Sequence, residues 1–270
     1  MQKETCKICN GEARLFSTAP IFKEQEEINY FKCTDCGFIQ TQEPTWLEKS
    51  YSDVITKSDI GLIWRNIFFS GYVETFLLSN YTEVKECMDY GGGYGVFVRI
   101  MRDKGFDFYW HDIYCRNMFA EGFEGSLTRN YNLITAFEVV EHLPNPHETI
   151  SKLLKQCDVL VFSTELTDDV KDFKNWWYRD ELAGQHISFF SKHSIKQICK
   201  QYEVNYYSLS NVLHVFSKKT FNQDEINAAY SPKLNIIQKI CNRLLPKPAA
   251  ARPTLLQKDH DDITQKYLEK

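Results

Sequence analysis

The sequence has neither a long apolar run nor an excess of positive charge. Its apolar stretches are short and interrupted by charged residues, so we expect no transmembrane helix. The first residues, Met1 to Glu4, are polar and lack the apolar centre of a secretory signal. The formal net charge of −4 provides no overall basic field, which disfavours nucleic acid as a partner. Together these absences predict an ordinary cytoplasmic protein without a transmembrane segment.

The sequence does contain enough apolar material for a packed core. Hydrophobic residues make up 43% of the 270 residues and aromatic residues 14%, which excludes a disordered chain. Nine cysteines without an export signal indicate a reducing compartment. Four of them are paired, and we expect the others to be small core residues. These others are Cys87, Cys115, Cys157, Cys199 and Cys241.

Two C-x2-C pairs, separated by 23 residues, lie near the start of the chain. Two-residue spacing allows both thiolates of a pair to reach one ion, and four thiolates leave zinc no open position. The four cysteines therefore predict a structural zinc site in a small ribbon-like module, with reduced or redox-active dithiols as the alternative. The predicted zinc ligands are Cys6, Cys9, Cys33 and Cys36.

A glycine-rich loop at positions 89–95 is the clearest sign of a nucleotide-containing ligand. It follows a predicted strand that ends at Asp89 and precedes a predicted helix from Val96. The pattern is D-x-G-x-G-x-G, and Val96 stands where the dinucleotide-binding pattern requires a further glycine. The loop residues predicted to contact this ligand are Asp89, Tyr90, Gly91, Gly93 and Gly95.

A second carboxylate follows the next predicted strand. Asp112 lies about twenty residues after the loop, where an acid can hold both ribose hydroxyls of a nucleoside. A solvated strand-end carboxylate is the alternative. Strands alternate with helices from about residue 86 onward, which predicts a parallel sheet covered by helices on both faces.

The segment around E-x-x-E-H, at positions 138–142, combines carboxylates with an imidazole. On a helical turn Glu138, Glu141 and His142 would share one face and could converge on one divalent ion. A cation at such a site lowers the pKa of a bound hydroxyl, and an imidazole not engaged by the metal can accept its proton.

Both motifs resemble those of a known family. The loop is similar to the first motif of class I S-adenosylmethionine (AdoMet)-dependent methyltransferases, where it passes under the amino-acid part of AdoMet. Residues 132–143 resemble the segment after the fourth strand in ubiquinone-biosynthesis O-methyltransferases and in plant enzymes that methylate the terminal ribose of small RNAs. Asn132 departs from the aspartate that is common there. The resemblance covers about residues 84–217.

The resemblance implies a fold and further site residues. It implies a Rossmann-like, doubly wound sheet of seven strands and a histidine after the fifth strand, which His186 would supply. Glu138, Glu141, His142 and His186 could then hold Mg²⁺, Mn²⁺, Fe²⁺, Co²⁺ or Zn²⁺, with His142 and His186 as catalytic residues. Alternatively Glu138 contacts the cofactor and His142 packs against the loop. For the adenine-contacting acid the candidates are Glu121, Phe123 and Glu124.

We predict four regions along the chain. They are a zinc-binding module at 1–45, a helical connector at 46–82, a methyltransferase domain at 83–220 and a helical tail at 221–270. The cysteine module resembles those that precede some bacterial sugar methyltransferases, which implies O-methylation of a sugar or sugar nucleotide in surface-glycan or natural-product synthesis. The alternatives are an RNA ribose 2′-O-methyltransferase and a non-catalytic zinc adaptor.

The aromatic segment from Trp176 to Arg179 lies where such enzymes build their substrate loops. Its rings could stack on a sugar while Arg179 holds a phosphate. A hydrophobic plug over the core is the alternative interpretation of the same residues.

Overall fold

A computed structural model describes residues 2–22, 25–50 and 59–230, together with Asp261 and Gln265. The predicted helical tail lies outside these residues beyond position 230, apart from those two, as does Cys241. Within the described part of the chain, no helix is both long and apolar enough to pass through a bilayer.

An antiparallel sheet of five strands, which we call the N-terminal sheet, carries the four paired cysteines. Four of its strands come from the first 41 residues: β1 (Lys3–Thr5), β2 (Glu12–Ile21), β3 (Glu26–Cys33) and β4 (Ile39–Thr41). The fifth, β9 (Ser188–Phe189), comes from far along the chain and pairs with β4. The predicted module therefore shares its sheet with the region predicted as the methyltransferase domain.

The second sheet has the predicted Rossmann-like α/β architecture. Its strands are β5 (Glu86–Tyr90), β6 (Asp107–His111), β7 (Tyr131–Ala136), β8 (Cys157–Ser163), β10 (Asn205–Ser208) and β11 (Leu213–Ser217). Their order is β10-β11-β8-β7-β5-β6, parallel from β8 to β6, and β11 is antiparallel to both β8 and β10.

Within the described residues this sheet has six strands, whereas seven were predicted. Beyond β6 the backbone forms only an isolated parallel bridge between Trp110 and Glu124. The amide of Trp110 donates to the carbonyl of Phe123, and the amide of Gly125 donates to that of Trp110. Because the chain turns away after these two bonds, the expected edge strand is reduced to one point of pairing.

Helices cover both faces of the second sheet, as predicted. They are α1 (Leu47–Ser50), α2 (Leu62–Ser79), α3 (Val96–Asp103), α4 (Pro146–Gln156), α5 (Lys192–Tyr202) and α6 (Gln223–Tyr230). Apolar residues of α2, α3 and α6 form one core cluster, and those of α4 and α5 form another with residues of the N-terminal sheet.

Side-chain caps begin two of these helices. The side chain of Asn145 accepts a hydrogen bond from the amide of Glu148 at the start of α4, with Pro146 in the first turn. Ser191 and Ser194 form reciprocal cap bonds at the start of α5. These caps mark the positions at which the loops before α4 and α5 end and the helices begin.

Candidate active site

The glycine-rich loop between β5 and α3 adopts a backbone conformation that favours glycine. Gly91, Gly93 and Gly95 have φ angles of 71°, 53° and 87°. A Cβ atom on Gly91 would lie 2.5 Å from Cγ2 of Val139, whereas nothing lies within 4 Å of one on Gly93. Gly93 therefore exposes its backbone toward open space, where a ligand can approach closely.

Asp112 holds this loop in shape. Its Oδ2 accepts a hydrogen bond from the amide of Gly93 at 2.9 Å. Its Oδ1 accepts from the amides of Tyr114 at 2.7 Å and Cys115 at 2.9 Å. A carboxylate has about four acceptor positions, so Oδ2 keeps one for a ribose hydroxyl.

Asp89 lies beneath the loop. Its side chain is buried and accepts a hydrogen bond of 2.6 Å from the Thr135 hydroxyl of β7. Burial raises the pKa of Asp89 to about 7, and the charge of Asp112 adds to the rise. Asp89 therefore links β5 to β7 at the base of the site.

A cavity of about 1120 Å³ lies along the loop at the carboxyl ends of the parallel strands. Ligand pockets usually measure roughly 300–1,000 Å³, so this cavity has room for a nucleoside cofactor and a second small molecule. Its described lining contains seven acidic residues, namely Glu48, Asp59, Asp89, Asp112, Glu138, Asp180 and Glu181. Arg65 is the one arginine of this lining, which contains no lysine.

His142 and His186 line this cavity, and Glu141 lies buried beside them. One ligand atom from each lies within 4.8 Å of the other two. His142 and His186 pack edge to face with ring centroids 4.7 Å apart. We call these three residues the Glu-His-His group. His142 and His186 are far apart in sequence. A backbone hydrogen bond brings their segments together, because the amide of Ile187 donates to the carbonyl of Glu141 at 2.9 Å.

Backbone carbonyls orient both imidazoles. Nδ1 of His142 lies 3.1 Å from the carbonyl oxygen of Gln185, and Nδ1 of His186 lies 2.6 Å from that of Tyr178. Because a carbonyl only accepts, each Nδ1 carries the proton and each Nε2 has a lone pair. Burial lowers the pKa of His142 to about 3 and that of His186 to about 4, so both rings are neutral at pH 7.

The carboxylate of Glu141 is completely buried and half satisfied. Its Oε1 accepts a 2.8 Å hydrogen bond from the Tyr178 hydroxyl, while its buried Oε2 has no hydrogen-bond partner in the described part of the chain. Burial raises the pKa of Glu141 to about 8, and the charge of Glu138 adds to the rise. An unmatched carboxylate oxygen beside two imidazole lone pairs fits a divalent cation.

Glu138 does not join this group, contrary to the expected convergence of four ligands. The segment is not a single α-helical turn, because Glu138 has a φ of 53° and only Val140–His142 form a short 3-10 helix. Glu138 instead accepts a hydrogen bond from Ser163 at 2.9 Å and lies 3.6 Å from Nε of Arg65. It still lines the cavity, where a cofactor contact stays a prediction.

In the aromatic segment after β8, some side chains face the cavity and others pack against the N-terminal sheet. Trp177 lines the cavity with 72% of its surface exposed, and Trp176 packs on the core of the N-terminal sheet. The idea that Arg179 holds a substrate phosphate is wrong, since Arg179 is 2% exposed and donates to the carbonyl of Pro20. The N–H groups of its guanidinium donate to other groups of the protein.

Arg65 was missed by the sequence reasoning. It belongs to α2, and both Asp59 carboxylate oxygens lie 2.7 Å from its Nη2. The available signal was its position in a helix whose only other charged residue is Glu74. Such an isolated arginine in an apolar helix indicates a specific partner.

The proposed adenine contacts do not face the described cavity lining. Glu124 accepts from the side-chain amide of Asn117 at 2.9 Å, and the guanidinium carbon of Arg102 lies 3.6 Å from the centroid of the Phe123 ring. Glu121 pairs with Arg116 on the surface. The cavity beside Asp112 is lined by Ile113, Tyr114 and Cys115 instead.

The four paired cysteines converge as predicted. Their sulfur atoms all lie within 4.8 Å of one another, with Cys6 and Cys36 3.6 Å apart and Cys9 and Cys33 3.4 Å apart. The amide of Ile8 donates to the sulfur of Cys6 at 3.4 Å, and the amide of Cys36 donates to the sulfur of Cys33 at the same distance. Four sulfurs at these separations fit a tetrahedral ion such as zinc.

The family of the chain follows from a comparison of its sequence. A family model described as "Methyltransferase domain" matches residues 68–209, which is just over half of the chain. The chain belongs to this methyltransferase family. Its domain is an AdoMet-dependent methyltransferase, with the glycine-rich loop and Asp112 inside the matched range. A comparison with curated proteins found no match.

Solved structures share the general architecture of this methyltransferase at low identity. An O-methyltransferase family protein from Burkholderia thailandensis is 11% identical, with 65% of this chain and 63% of that chain covered and a TM-score of 0.47. Magnesium protoporphyrin IX methyltransferase from Synechocystis PCC 6803 is 13% identical, with 64% and 90% covered and a TM-score of 0.37. The chain thus spans less than two thirds of the first structure, and we draw no conclusion about the acceptor from either.

Proposed function

We propose that this methyltransferase transfers the methyl group of AdoMet to a hydroxyl of a sugar or sugar nucleotide, in glycan or natural-product synthesis. The observation that carries the proposal is the Glu-His-His group, whose two histidines line the same cavity as the glycine-rich loop. A hydroxyl is a poor nucleophile because it holds its proton tightly, so this chemistry needs a group that weakens the O–H bond or accepts the proton.

The donor side of the cavity is formed by the loop and Asp112. Asp112 accepts from the ribose while the exposed backbone of Gly93 lies along the amino-acid part of AdoMet. Arg65, as the one arginine of the described lining, is placed to pair with the carboxylate of that amino acid. The donor methyl is then directed toward the Glu-His-His group, where positioning supplies much of the rate.

The acceptor side is formed by the Glu-His-His group. A divalent cation bound by Glu141, His142 and His186 would lower the pKa of an acceptor hydroxyl and hold it in place. Tyr178 and the two backbone carbonyls keep these ligands oriented. A histidine that is not a metal ligand is a general base, because its Nε2 is unprotonated.

The acidic lining favours a sugar over RNA as the acceptor. Seven carboxylates and one arginine, itself paired with Asp59, provide no groove for a polyphosphate backbone. The exposed ring of Trp177 at the mouth of the cavity offers an apolar face on which a sugar ring can stack.

We assign zinc to the four-cysteine cluster as a structural ion. All four positions of a tetrahedral ion are filled by Cys6, Cys9, Cys33 and Cys36, so none is left for a substrate. Zinc would therefore stabilise the N-terminal sheet and take no part in the transfer itself.

The test is methyl transfer by the wild type and by Glu141→Gln. Tritiated-methyl transfer from AdoMet is measured with a panel of sugars, sugar nucleotides and short RNAs. We expect a sugar-type acceptor to be labelled, and Glu141→Gln to lower the rate by about 100-fold, as for the loss of a ligand or its orienting partner. Zinc content and AdoMet affinity should not change, because neither site includes Glu141.

Glu83→Gln is the matched control, since Glu83 is an exposed carboxylate paired with Lys219. Chelation alone is ambiguous because it removes zinc as well, so chelated protein is also assayed after Mg²⁺ or Mn²⁺ is returned. Full activity of Glu141→Gln would contradict the role of the Glu-His-His group. Labelling of RNA alone would replace the proposed acceptor.

A further inference from the structure

Residues 173–190, which we call the acceptor segment, rest on the N-terminal sheet and its following helix α1. The segment carries Trp177, Tyr178 and His186 and has no regular structure beyond one 3-10 turn and β9. Besides the pairing of β9 with β4, six hydrogen bonds join it to the described residues of 20–50. Arg179 donates to the carbonyl of Pro20 and to the hydroxyl of Tyr30, Phe22 to the carbonyl of Glu181, Trp46 to that of Gly184, Gln185 to that of Ser50, and Thr41 to that of Ile187.

Apolar side chains of the acceptor segment also pack against the N-terminal part of the chain. A core cluster separate from the two that cover the parallel sheet joins residues of both parts. From the N-terminal side it contains Ala19, Ile21, Ile28, Tyr30, Ile39 and Trp46. From the acceptor segment it contains Phe173, Tyr178, Ile187 and Phe189. Four buried apolar residues of this segment therefore pack with the N-terminal part of the chain, which lies outside the range that matches the methyltransferase family.

Tyr178 connects this contact to the chemistry of the site. Its hydroxyl donates to Oε1 of Glu141 at 2.8 Å, and its carbonyl accepts from Nδ1 of His186 at 2.6 Å. A shift of Tyr178 would therefore move a carboxylate and rotate an imidazole at the same time.

Arg179 fixes Tyr178 from the side away from the cavity. It is 2% exposed, and its Nη1 donates to the carbonyl of Pro20 at 2.6 Å and to the Tyr30 hydroxyl at 3.4 Å. Its Nε donates to the carbonyl of Lys174 at 3.1 Å, and its Nη2 pairs with Glu181 at 2.8 Å. A buried guanidinium is tolerated only when its donors are matched, so these contacts impose one geometry on the segment.

We propose that the N-terminal sheet positions the acceptor half of the active site, with Arg179 as the positioning residue that transmits this order through Tyr178. The AdoMet half is independent of it, because the glycine-rich loop and Asp112 are held by the parallel sheet. The inference rests on the proposed function only for the consequence in methyl transfer. It gives the zinc-bearing part of the chain a role in catalysis without placing it at the reacting atoms.

Arg179→Met tests this link, with Arg179→Lys as the conservative variant. Methionine fills the space without donors, whereas lysine keeps the charge but cannot reproduce the planar fork. We expect amide hydrogen exchange in residues 173–190 to become about tenfold faster in Arg179→Met, with a smaller change in Arg179→Lys. Exchange in residues 89–112 and AdoMet affinity by calorimetry should not change.

Methyl transfer should fall by about 100-fold in Arg179→Met and recover partly in Arg179→Lys, since small misplacements cost this much. Arg14→Met is the matched control, because Arg14 is an exposed arginine on the same sheet that pairs with Glu12. If Arg179→Met does not fold, Trp46→Phe replaces it, as this change removes the indole hydrogen bond to the carbonyl of Gly184 and keeps an aromatic ring in the core cluster.

Two outcomes would overturn the proposal. One is unchanged exchange in residues 173–190 in folded Arg179→Met or Trp46→Phe. The other is a parallel rise in residues 89–112 with weaker AdoMet binding, which would show a general loss of stability. If no sugar is ever labelled, the proposed function fails, but the exchange and calorimetry still decide whether the N-terminal sheet orders this segment.

Discussion

At the scale of single residues, Asp112 shows how one side chain serves both the loop and the ligand. Its carboxylate accepts from three backbone amides, including that of Gly93, and keeps one acceptor position toward the cavity. The loop and the predicted ribose contact therefore depend on the same charge.

Asp112→Asn should weaken AdoMet binding by about 10- to 100-fold. The amide lacks the charge, and one of its ends donates where Asp112 accepts, at a cost of about 1–3 kcal/mol. Calorimetric titration with AdoMet and with its demethylated product measures the change. Asp103→Asn is the control, because Asp103 is an exposed carboxylate paired with Arg99 on α3. An unchanged affinity would remove Asp112 from the cofactor site.

At the scale of elements, the start of α5 joins a helix cap to the four-cysteine cluster. The Ser191 hydroxyl accepts from the amide of Ser194 at 3.0 Å and donates to the carbonyl of Cys36 at 2.7 Å. The neighbouring rings of Phe38 and Phe190 pack against each other, with their centroids 5.1 Å apart. The short strand β9 is thus anchored at its C-terminal side by the cysteine cluster and paired along its length with β4.

Ser191→Ala should therefore cost more than the loss of an ordinary cap. We expect a loss of about 2 kcal/mol in the free energy of unfolding, from one cap and one further buried hydrogen bond. Asn145→Ala removes the cap of α4 without a contact to the cysteine cluster, and should cost about 1 kcal/mol. Denaturant unfolding of the zinc-bound protein compares the two. Equal losses would mean that the bond to Cys36 contributes nothing.

The two sheets also show which strands and helices could be predicted from the sequence. The strand that ends at Asp89, the helix from Val96, the strand before Asp112 and the alternation of strands with helices from about residue 86 were predicted, because these signals are local. The two residues of β9 carry no such periodicity, and their pairing with β4 joins positions about 150 apart. The missing seventh strand, where only Trp110 and Glu124 pair, has the same cause, since pairing at an edge depends on the neighbouring strand.

At the scale of the whole molecule, stability depends on buried groups that stay neutral. His214 is 1% exposed on β11, where its Nε2 lies 3.0 Å from the carbonyl oxygen of Thr164 and its Nδ1 lies 2.9 Å from the Tyr206 hydroxyl. The ring is therefore a donor at Nε2 and an acceptor at Nδ1. Burial lowers the pKa of His214 to about 4.

The contribution of His214 to the free energy of unfolding should consequently fall as the pH drops from about 6.5 to about 4. In that range the unfolded chain binds a proton at position 214 that the folded chain excludes, and the difference amounts to about 3 kcal/mol. Asp89 and Asp180, whose pKa values burial raises to about 7 and about 6, contribute with the opposite sign.

The comparison of wild type with His214→Gln isolates this contribution. Glutamine can keep a donor for Thr164 but does not titrate, so its unfolding free energy should depend less steeply on pH between 6.5 and 4. Parallel pH profiles for the two proteins would show that His214 is not held neutral by the fold.

The sequence by itself determined the chemical identity of this methyltransferase. The glycine spacing at 91, 93 and 95 and the two-residue spacing within each cysteine pair are informative within short stretches, because backbone conformation and the reach of two thiolates to one ion depend there on residues only a few positions apart. Only the tertiary structure decided which carboxylate meets the two histidines, and that Arg179 faces the N-terminal sheet. Those outcomes depend on contacts between residues 37 to 159 positions apart, such as Tyr178 with Glu141 and Arg179 with Pro20, which no local pattern encodes.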